Sequence, residues 1–343
     1  MTTPGRCVRC ALTSGFPGLT FDDEGVCSFC RDEILVVSEQ SAIDAAREQI
    51  RSLFKTRAGP YDAVLCNSGG KDSCYTLKLA VEKYGLRVLS FTLDQGFMSP
   101  TAVENIHVVV DALGVDHITV RPSAKFFRKV MRTTALLPIY QEQVMRRISA
   151  GCNGCISMVN TTALRIALEK GVNVILAGFT LGQIPANGIV YRNHFRFLQA
   201  ARKDSLDKLR DAIGPEVDDY YGIDAALLDR VKEYPFNVNL LCLETVTEDQ
   251  IRAEVGKLGW RSPTDVDGCS SNCRVNTLNN FIHQKRYGFN PYELELSHLV
   301  RKQLMTREEA ISKIEDQPRG ELRSMARQLG FSEQDCQELG IPE

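Results

Sequence analysis

The sequence predicts an α/β protein: a parallel sheet with helices on both faces, preceded by a small metal-stabilised arm and followed by a mostly helical C-terminal region. Three observations carry that prediction. From residue 60 onward short apolar runs alternate with amphipathic stretches, and crossovers of about a dozen residues with helical period require parallel strands. Four cysteines near the N-terminus, Cys7, Cys10, Cys27 and Cys30, form two C-x2-C pairs in a segment too poor in apolar residues to fold alone. The 343 residues are 43% hydrophobic and 24% charged, which excludes disordered and fibrous chains. With 41 basic against 43 acidic residues the net charge is −2, so no global field draws the chain to a polyphosphate backbone. A small-molecule substrate is favoured, with tRNA kept as the alternative. Apolar runs fall short of the roughly 20 residues of a membrane span, and no charged-then-apolar leader pattern is seen, so a cytoplasmic protein with no membrane partner is expected.

Residues 1–35 form the arm, rich in Gly5, Gly15, Gly18 and Gly25. Paired thiols in a reducing compartment are better metal ligands or redox groups than disulfides. Four thiolates on one tetrahedral zinc are the simplest explanation here, and an iron site of the same spacing stays open. Residues 36–59 read as a linker helix, with Ile43, Ala46, Ile50, Leu53 and Phe54 on one face and Ser41 as its N-cap. The catalytic domain is expected over 60–194. It has strands at 63–66, 87–93, 117–120 and 172–179, and helices at 75–84, 101–113 and 164–169. Residues 195–343 form an insertion or lid plus a helical region. They include a charged stretch at 196–210, a strand at 238–243, a helix at 248–258 capped by Thr247, and helices after Thr306 and over 322–329. The charged stretch, with Phe195 and Phe197 beside Arg196, Arg202, Lys203, Lys208 and Arg210, reads either as a solvated helix or as a track along an RNA backbone.

The sharpest local signal is Ser68-Gly69-Gly70-Lys71-Asp72-Ser73, between a strand and a helix. Adjacent glycines let backbone N–H groups converge on an anion, and the helix N-terminus adds unpaired donors and its positive dipole end. Lys71 supplies charge, Ser68 and Ser73 hydroxyls, and Asp72 a carboxylate of the kind that holds magnesium on phosphate oxygens.

This hexapeptide resembles the PP-loop of the N-type ATP pyrophosphatases, a superfamily that includes GMP synthetase, tRNA thiolation enzymes and N-acetyl sugar amidotransferases. The resemblance covers residues 60–182 and implies the fold of those enzymes. It also implies their chemistry, in which ATP and Mg2+ adenylate a substrate oxygen with release of pyrophosphate, and sulfur or nitrogen then displaces AMP. By the same resemblance Ser68, Gly69, Gly70, Lys71, Asp72 and Ser73 bind the β- and γ-phosphates, Leu93 and Asp94 lie near the adenosine, and Gly178 belongs to a second glycine segment. That segment here lacks the family's usual histidine and acidic pair.

Cys152 and Cys155 form a third C-x2-C before a helix expected to begin near residue 156, a position that lowers a thiol pKa. The resemblance to thiolation enzymes implies a 4Fe-4S cluster on Cys152, Cys155 and a distant thiol, Cys269 or alternatively Cys273, with one iron open to sulfide. A second zinc site or a redox pair stays open. The remaining cysteines, Cys66, Cys74, Cys242 and Cys336, read as core. The stretch 287–311, including His298, Arg301 and Arg307, is similar to the C-terminal part of N-acetyl sugar amidotransferases, which take ammonia from a separate glutaminase. The expected cofactors are therefore ATP, Mg2+, Zn2+ and a 4Fe-4S cluster, and the catalytic candidates are Cys152, Cys155, Asp72 and Lys71. The expected partners are a sulfur donor or a glutaminase, and the superfamily's habit implies a homodimer. A zinc-ribbon binding module with an inactive ATP site is the reading from outside enzymology.

Overall fold

The structure, a computed structural model, describes residues 5–55, 59–316 and 320–343. Its centre is a six-stranded sheet made of β1 (Ala63–Cys66), β2 (Val88–Leu93), β3 (Asp116–Val120), β4 (Val174–Ala177), β5 (Val190–Arg192) and β6 (Phe236–Asn239). The strand order is β3-β2-β1-β4-β6-β5, parallel except where β5 runs antiparallel to β6. Alternate residues of the central strands bury on opposite faces: Ala63 and Leu65 on one, Val64 on the other, with Val174 and Leu176 against Ile175 in the same way. Burial on both faces is why these strands read as continuous apolar runs.

One face is covered by α1 (Glu33–Lys55), α2 (Lys71–Lys78), α3 (Pro100–Leu113) and, from the far end of the chain, Glu248–Gly256, through Ile50, Leu77, Ile106, Val109 and Val255. The other face is covered by α5 (Ala150–Lys170), and beyond it α4 (Ala124–Leu136) packs with the C-terminal helices Asn276–Tyr287 and Leu322–Gln328.

Several elements differ from the sequence expectation. Helix α1 begins at Glu33, so Ser41 lies in its interior, and Ile43, Ala46 and Ile50 belong to the main core rather than to a free linker. The strand expected at 238–243 is β6 followed by a 3-10 turn, Leu240–Leu243. Because β6 sits between β4 and β5, the sheet continues past residue 194, and part of the expected lid region is sheet. Helix α5 begins six residues before the expected start. Gly151 and Gly154 lie inside this helix, where close packing requires glycine: a Cβ would come within 2.4 Å of Asn279 Oδ1 and 2.9 Å of Val130 Cγ1 respectively. Capping boxes are present at Thr247 with Gln250 and at Thr306 with Glu309.

The N-terminal arm does not rely on a metal alone for its core. Leu12, Phe16 and the cysteines pack on Phe289 and Leu294, with Phe16 edge-on to Phe289 at 5.1 Å. Thr13 N and Oγ1 donate to Glu293 at 2.9 and 2.8 Å, and Ala11 N donates to Ser297 Oγ at 3.1 Å. Arg307 donates to the carbonyls of Cys7 and Cys10 at 2.9 and 3.2 Å. Among the described residues no helix is long and apolar enough to cross a membrane.

Candidate active site

The glycine loop leaves the C-terminal end of β1, where a doubly covered parallel sheet presents its crevice. Buried Asn67 organises it: Oδ1 accepts from Gly69 N at 3.0 Å and Ser73 Oγ at 3.2 Å. Gly69 takes a φ of +71°, and a Cβ there would lie 1.9 Å from Ala102 O. Its own carbonyl accepts from Trp260 Nε1 at 2.9 Å. The Gly69→Ala variant should therefore lose about 2–4 kcal/mol of stability, read by urea unfolding, since φ strain and a backbone clash add.

Ser68, Gly70, Asp72 and Ser73 line a cavity of about 260 Å³, shared with Thr92, Leu93 and Gly178. Its rim is Ser271 and Asn272, with Ser271 Oγ accepting from Lys71 N at 3.1 Å. That rim is held by a bridge between Met98 and Cys273 and by the bond from Ser99 N to Asn272 O at 2.9 Å. Two residues expected to contact the nucleotide are not among those lining this cavity. The Lys71 ammonium pairs with Asp72 Oδ2 at 2.8 Å and Glu248 Oε1 at 3.6 Å; burial works against its charge, but these carboxylates outweigh it and raise its pKa. Asp94 caps its own turn through Gly96 N at 2.9 Å and faces Arg121. Cys66, expected in the core, lines this cavity, and burial pushes its thiol up to about 12.

A second cavity, of about 450 Å³, abuts the first; Gln95, Cys155, Ile156, Asn160 and Phe179 line both. Cys152, Cys155 and Cys273 all lie on its wall. Asn279 Nδ2 donates to Cys152 Sγ at 3.4 Å, and Gln95 Nε2 donates to Cys273 Sγ at 3.5 Å. Asn276 Oδ1 accepts from Cys152 Sγ at 3.6 Å and from the buried Tyr292 hydroxyl at 3.0 Å. Buried Asp267 anchors the segment, accepting from Asn276 Nδ2 at 2.8 Å, Thr277 Oγ1 at 3.0 Å and Cys269 N at 2.8 Å. Cys269 itself points away, its thiol donating to Lys313 O at 3.3 Å.

The lowered pKa expected for the C-x2-C thiols does not occur. Burial raises Cys152 and, more strongly, Cys155, and pushes Cys273 up to about 12. A helix N-terminus contributes about 0.3–2 kcal/mol, while full burial moves a pKa by up to about 3–5 units at 1.36 kcal/mol each, so desolvation wins. Cys152 and Cys273 each carry an amide donor on sulfur and Cys155 lies on the same wall; a bound cation would deprotonate such thiols outright.

Glu295 was not singled out by the sequence. It lies on the wall of the larger cavity, accepts from Thr180 Oγ1 at 3.3 Å, and burial, only partly offset by Lys71, pushes its carboxyl up to about 7. The folded protein thus holds this proton more tightly than the unfolded chain, so this group's contribution to stability is full below about pH 4.5 and is lost as pH rises through about 7. Glu295→Gln should remove that loss, gaining of order 1–3 kcal/mol over wild type in urea unfolding at pH 8 relative to pH 4.5.

The four arm cysteines have their ligand atoms all within 4.8 Å of one another, with Cys10 and Cys27 sulfurs at 3.7 Å and Cys7 and Cys30 at 4.0 Å. A tetrahedral zinc with Zn–S near 2.3 Å separates its sulfurs by about 3.8 Å, so the set fits one ion. His298 faces Glu39 of α1 at 3.7 Å, and Arg301 lies over the Phe29 ring of the arm at 5.8 Å. In the 196–210 stretch Lys203, Lys208 and Arg210 are paired with Asp207, Asp204 and Asp218.

No family model matches the chain. The uncharacterized protein MJ1599 of Methanocaldococcus jannaschii is 22% identical over 313 residues, spanning 90% of this chain and 93% of that protein. Among solved structures, the U34-tRNA thiolase NcsA from Methanococcus maripaludis with its 4Fe-4S cluster aligns over 98% of this chain and 91% of its own, at 13% identity and a TM-score of 0.37. The NMN synthetase from Francisella tularensis aligns over 80% of this chain and 96% of its own, at 11% identity and a TM-score of 0.31.

Proposed function

We propose that this chain adenylates a carbonyl oxygen of its substrate with ATP and then replaces that oxygen by sulfur. The observation that supports the reading most is that Cys155 lines both cavities, so the phosphate cradle and the thiols open onto one space. In the first step the carbonyl oxygen attacks the α-phosphorus and pyrophosphate leaves. The cradle of Ser68, Gly70 and Ser73 holds the departing phosphates, and Asp72, on the cavity wall, would hold Mg2+ against their oxygens. In the second step a sulfur nucleophile attacks the activated carbon and AMP leaves with the original oxygen. Cys152, Cys155 and Cys273 would hold an iron-sulfur cluster, with Cys273 taking the place first expected of Cys269. When bound, a cluster on three thiolates supplies one open iron that can carry sulfide. Phe127, Met131 and Phe179 on the cavity wall exclude water from the adenylate, and Glu295 can hold or give up a proton beside it.

The same adenylate with ammonia would make an amidotransferase. The observation favouring that second reading is that the 287–311 segment, similar to sugar amidotransferases, carries Glu295 to the cavity wall, where a carboxylate can take a proton from an incoming ammonium. Pyrophosphate and AMP release with carbonyl substrates, supplied with sulfide or with ammonium, tests both. Asp72→Ala should lower pyrophosphate release by roughly 100-fold or more; release unchanged in that variant would remove Asp72 from the reaction, and no release from wild type with any substrate would leave a binding module.

A further inference from the structure

A third cavity, of about 320 Å³, lies against the thiol cavity, and Ile156, Asn160 and Tyr191 line both. Arg202, between the helices Phe195–Ala201 and Lys203–Ile213, lines it. Its neighbours in sequence are neutralised in place: Lys203 by Asp207 at 2.5 Å, Lys208 by Asp204 at 2.8 Å and Arg210 by Asp218 at 2.7 Å. Arg202 differs. Among the described residues it has no carboxylate within 4.0 Å, and the phenols of Tyr140 and Tyr191 stand near it. Arg202 is half-buried, and burial lowers its pKa.

The groups around it are donors. The Tyr140 hydroxyl is buried with no hydrogen-bond partner among the described residues. Tyr191 accepts from Asn237 Nδ2 and so keeps its own O–H to give. Asp204, the acid on this wall, is already held by Lys208. A guanidinium fork with adjacent hydroxyls matches the oxygens of a phosphate.

We propose that this cavity is an anion subsite, in which Arg202 and Tyr140 hold the phosphate of a small phosphorylated substrate whose carbonyl end lies in the thiol cavity. The fate of that carbonyl end rests on the adenylating reading; the binding of the phosphate does not. A phosphate within RNA is disfavoured because the cations around Arg202 are consumed by their own helix neighbours, and following a nucleic-acid backbone needs several free ones.

Equilibrium dialysis of radiolabelled inorganic phosphate against the full chain tests the subsite. Wild type should bind one phosphate more per chain than Arg202→Met, since any phosphate held by the glycine loop is common to both proteins and cancels. Tyr140→Phe, which removes one hydroxyl, should weaken that phosphate roughly tenfold. Equal binding by wild type and a folded Arg202→Met overturns the proposal; should Arg202→Met not fold, unchanged affinity in Tyr140→Phe overturns it. Uridine 5′-monophosphate should displace the Arg202-dependent phosphate. Displacement by bulk tRNA alone, or by neither, overturns the assignment to a small substrate. None of these readouts uses ATP, AMP or pyrophosphate, so the subsite and the adenylating reaction can fail separately.

Discussion

Cys273→Ala should empty the protein of its iron and abolish sulfur transfer while leaving pyrophosphate release intact, and Cys269→Ala should do neither. Both thiols follow the same helix, four residues apart, and only their surroundings separate them. Cys273 lines the cavity with Cys152 and Cys155 and takes the amide of Gln95 at 3.5 Å; the Cys269 thiol is spent on Lys313 O at 3.3 Å. Loss of a direct ligand should exceed the roughly 10–100-fold that outer-shell changes cost a metal site. The phosphate cradle is built from β1 and α2 and does not depend on the Cys273 sulfur, so adenylation should persist. Iron content and AMP formation measured on the same preparations check both halves; iron retained by Cys273→Ala, or lost from Cys269→Ala, reverses the assignment.

Cys10→Ser should release the arm metal and loosen the C-terminal helices with it. The ligand set closes around one ion, and the same cysteines sit in a cluster with Phe16, Phe289 and Leu294. In isolated zinc fingers the metal contributes about 10–16 kcal/mol of apparent folding energy. Here the packing on residues 289–297 and the Arg307 bonds retain part of the structure, so a smaller loss follows, a fall in thermal midpoint of roughly 5–10 °C. Metal content per chain and a thermal scan with and without chelator measure it. A Cys10→Ser protein that keeps its metal and midpoint would show that the four thiols do not act as one site.

What the sequence disclosed is what local chemistry determines. The central parallel strands β1, β2 and β4 are apolar because they are buried on both faces, and the glycine loop and the four-thiol arm are contiguous motifs. Asn67, Gln95, Ser271 and Glu295 escaped notice because their roles exist only after distant segments meet. Asn67 sits inside the loop and carries an ordinary amide; Ser271 is 200 residues from the Lys71 N–H that it accepts. Three residues of β5 are too few for any period to register. The thiol pKa values came out in the opposite direction from the helix-dipole expectation because burial, a tertiary property, is the larger effect. Arg307 and Arg202 show the same limit. Each reads as a surface charge on a polar helix, yet one carries the arm's carbonyls and the other faces a cavity.

The coupling of a phosphate cradle to a sulfur-bearing centre is tested most directly by anaerobic purification with iron, zinc and acid-labile sulfide counted per chain. About four iron and four sulfide, with about one zinc, are expected. Zinc alone, with no iron or sulfide in a preparation that still releases pyrophosphate, would contradict the sulfur-transfer account and leave ammonia as the nucleophile.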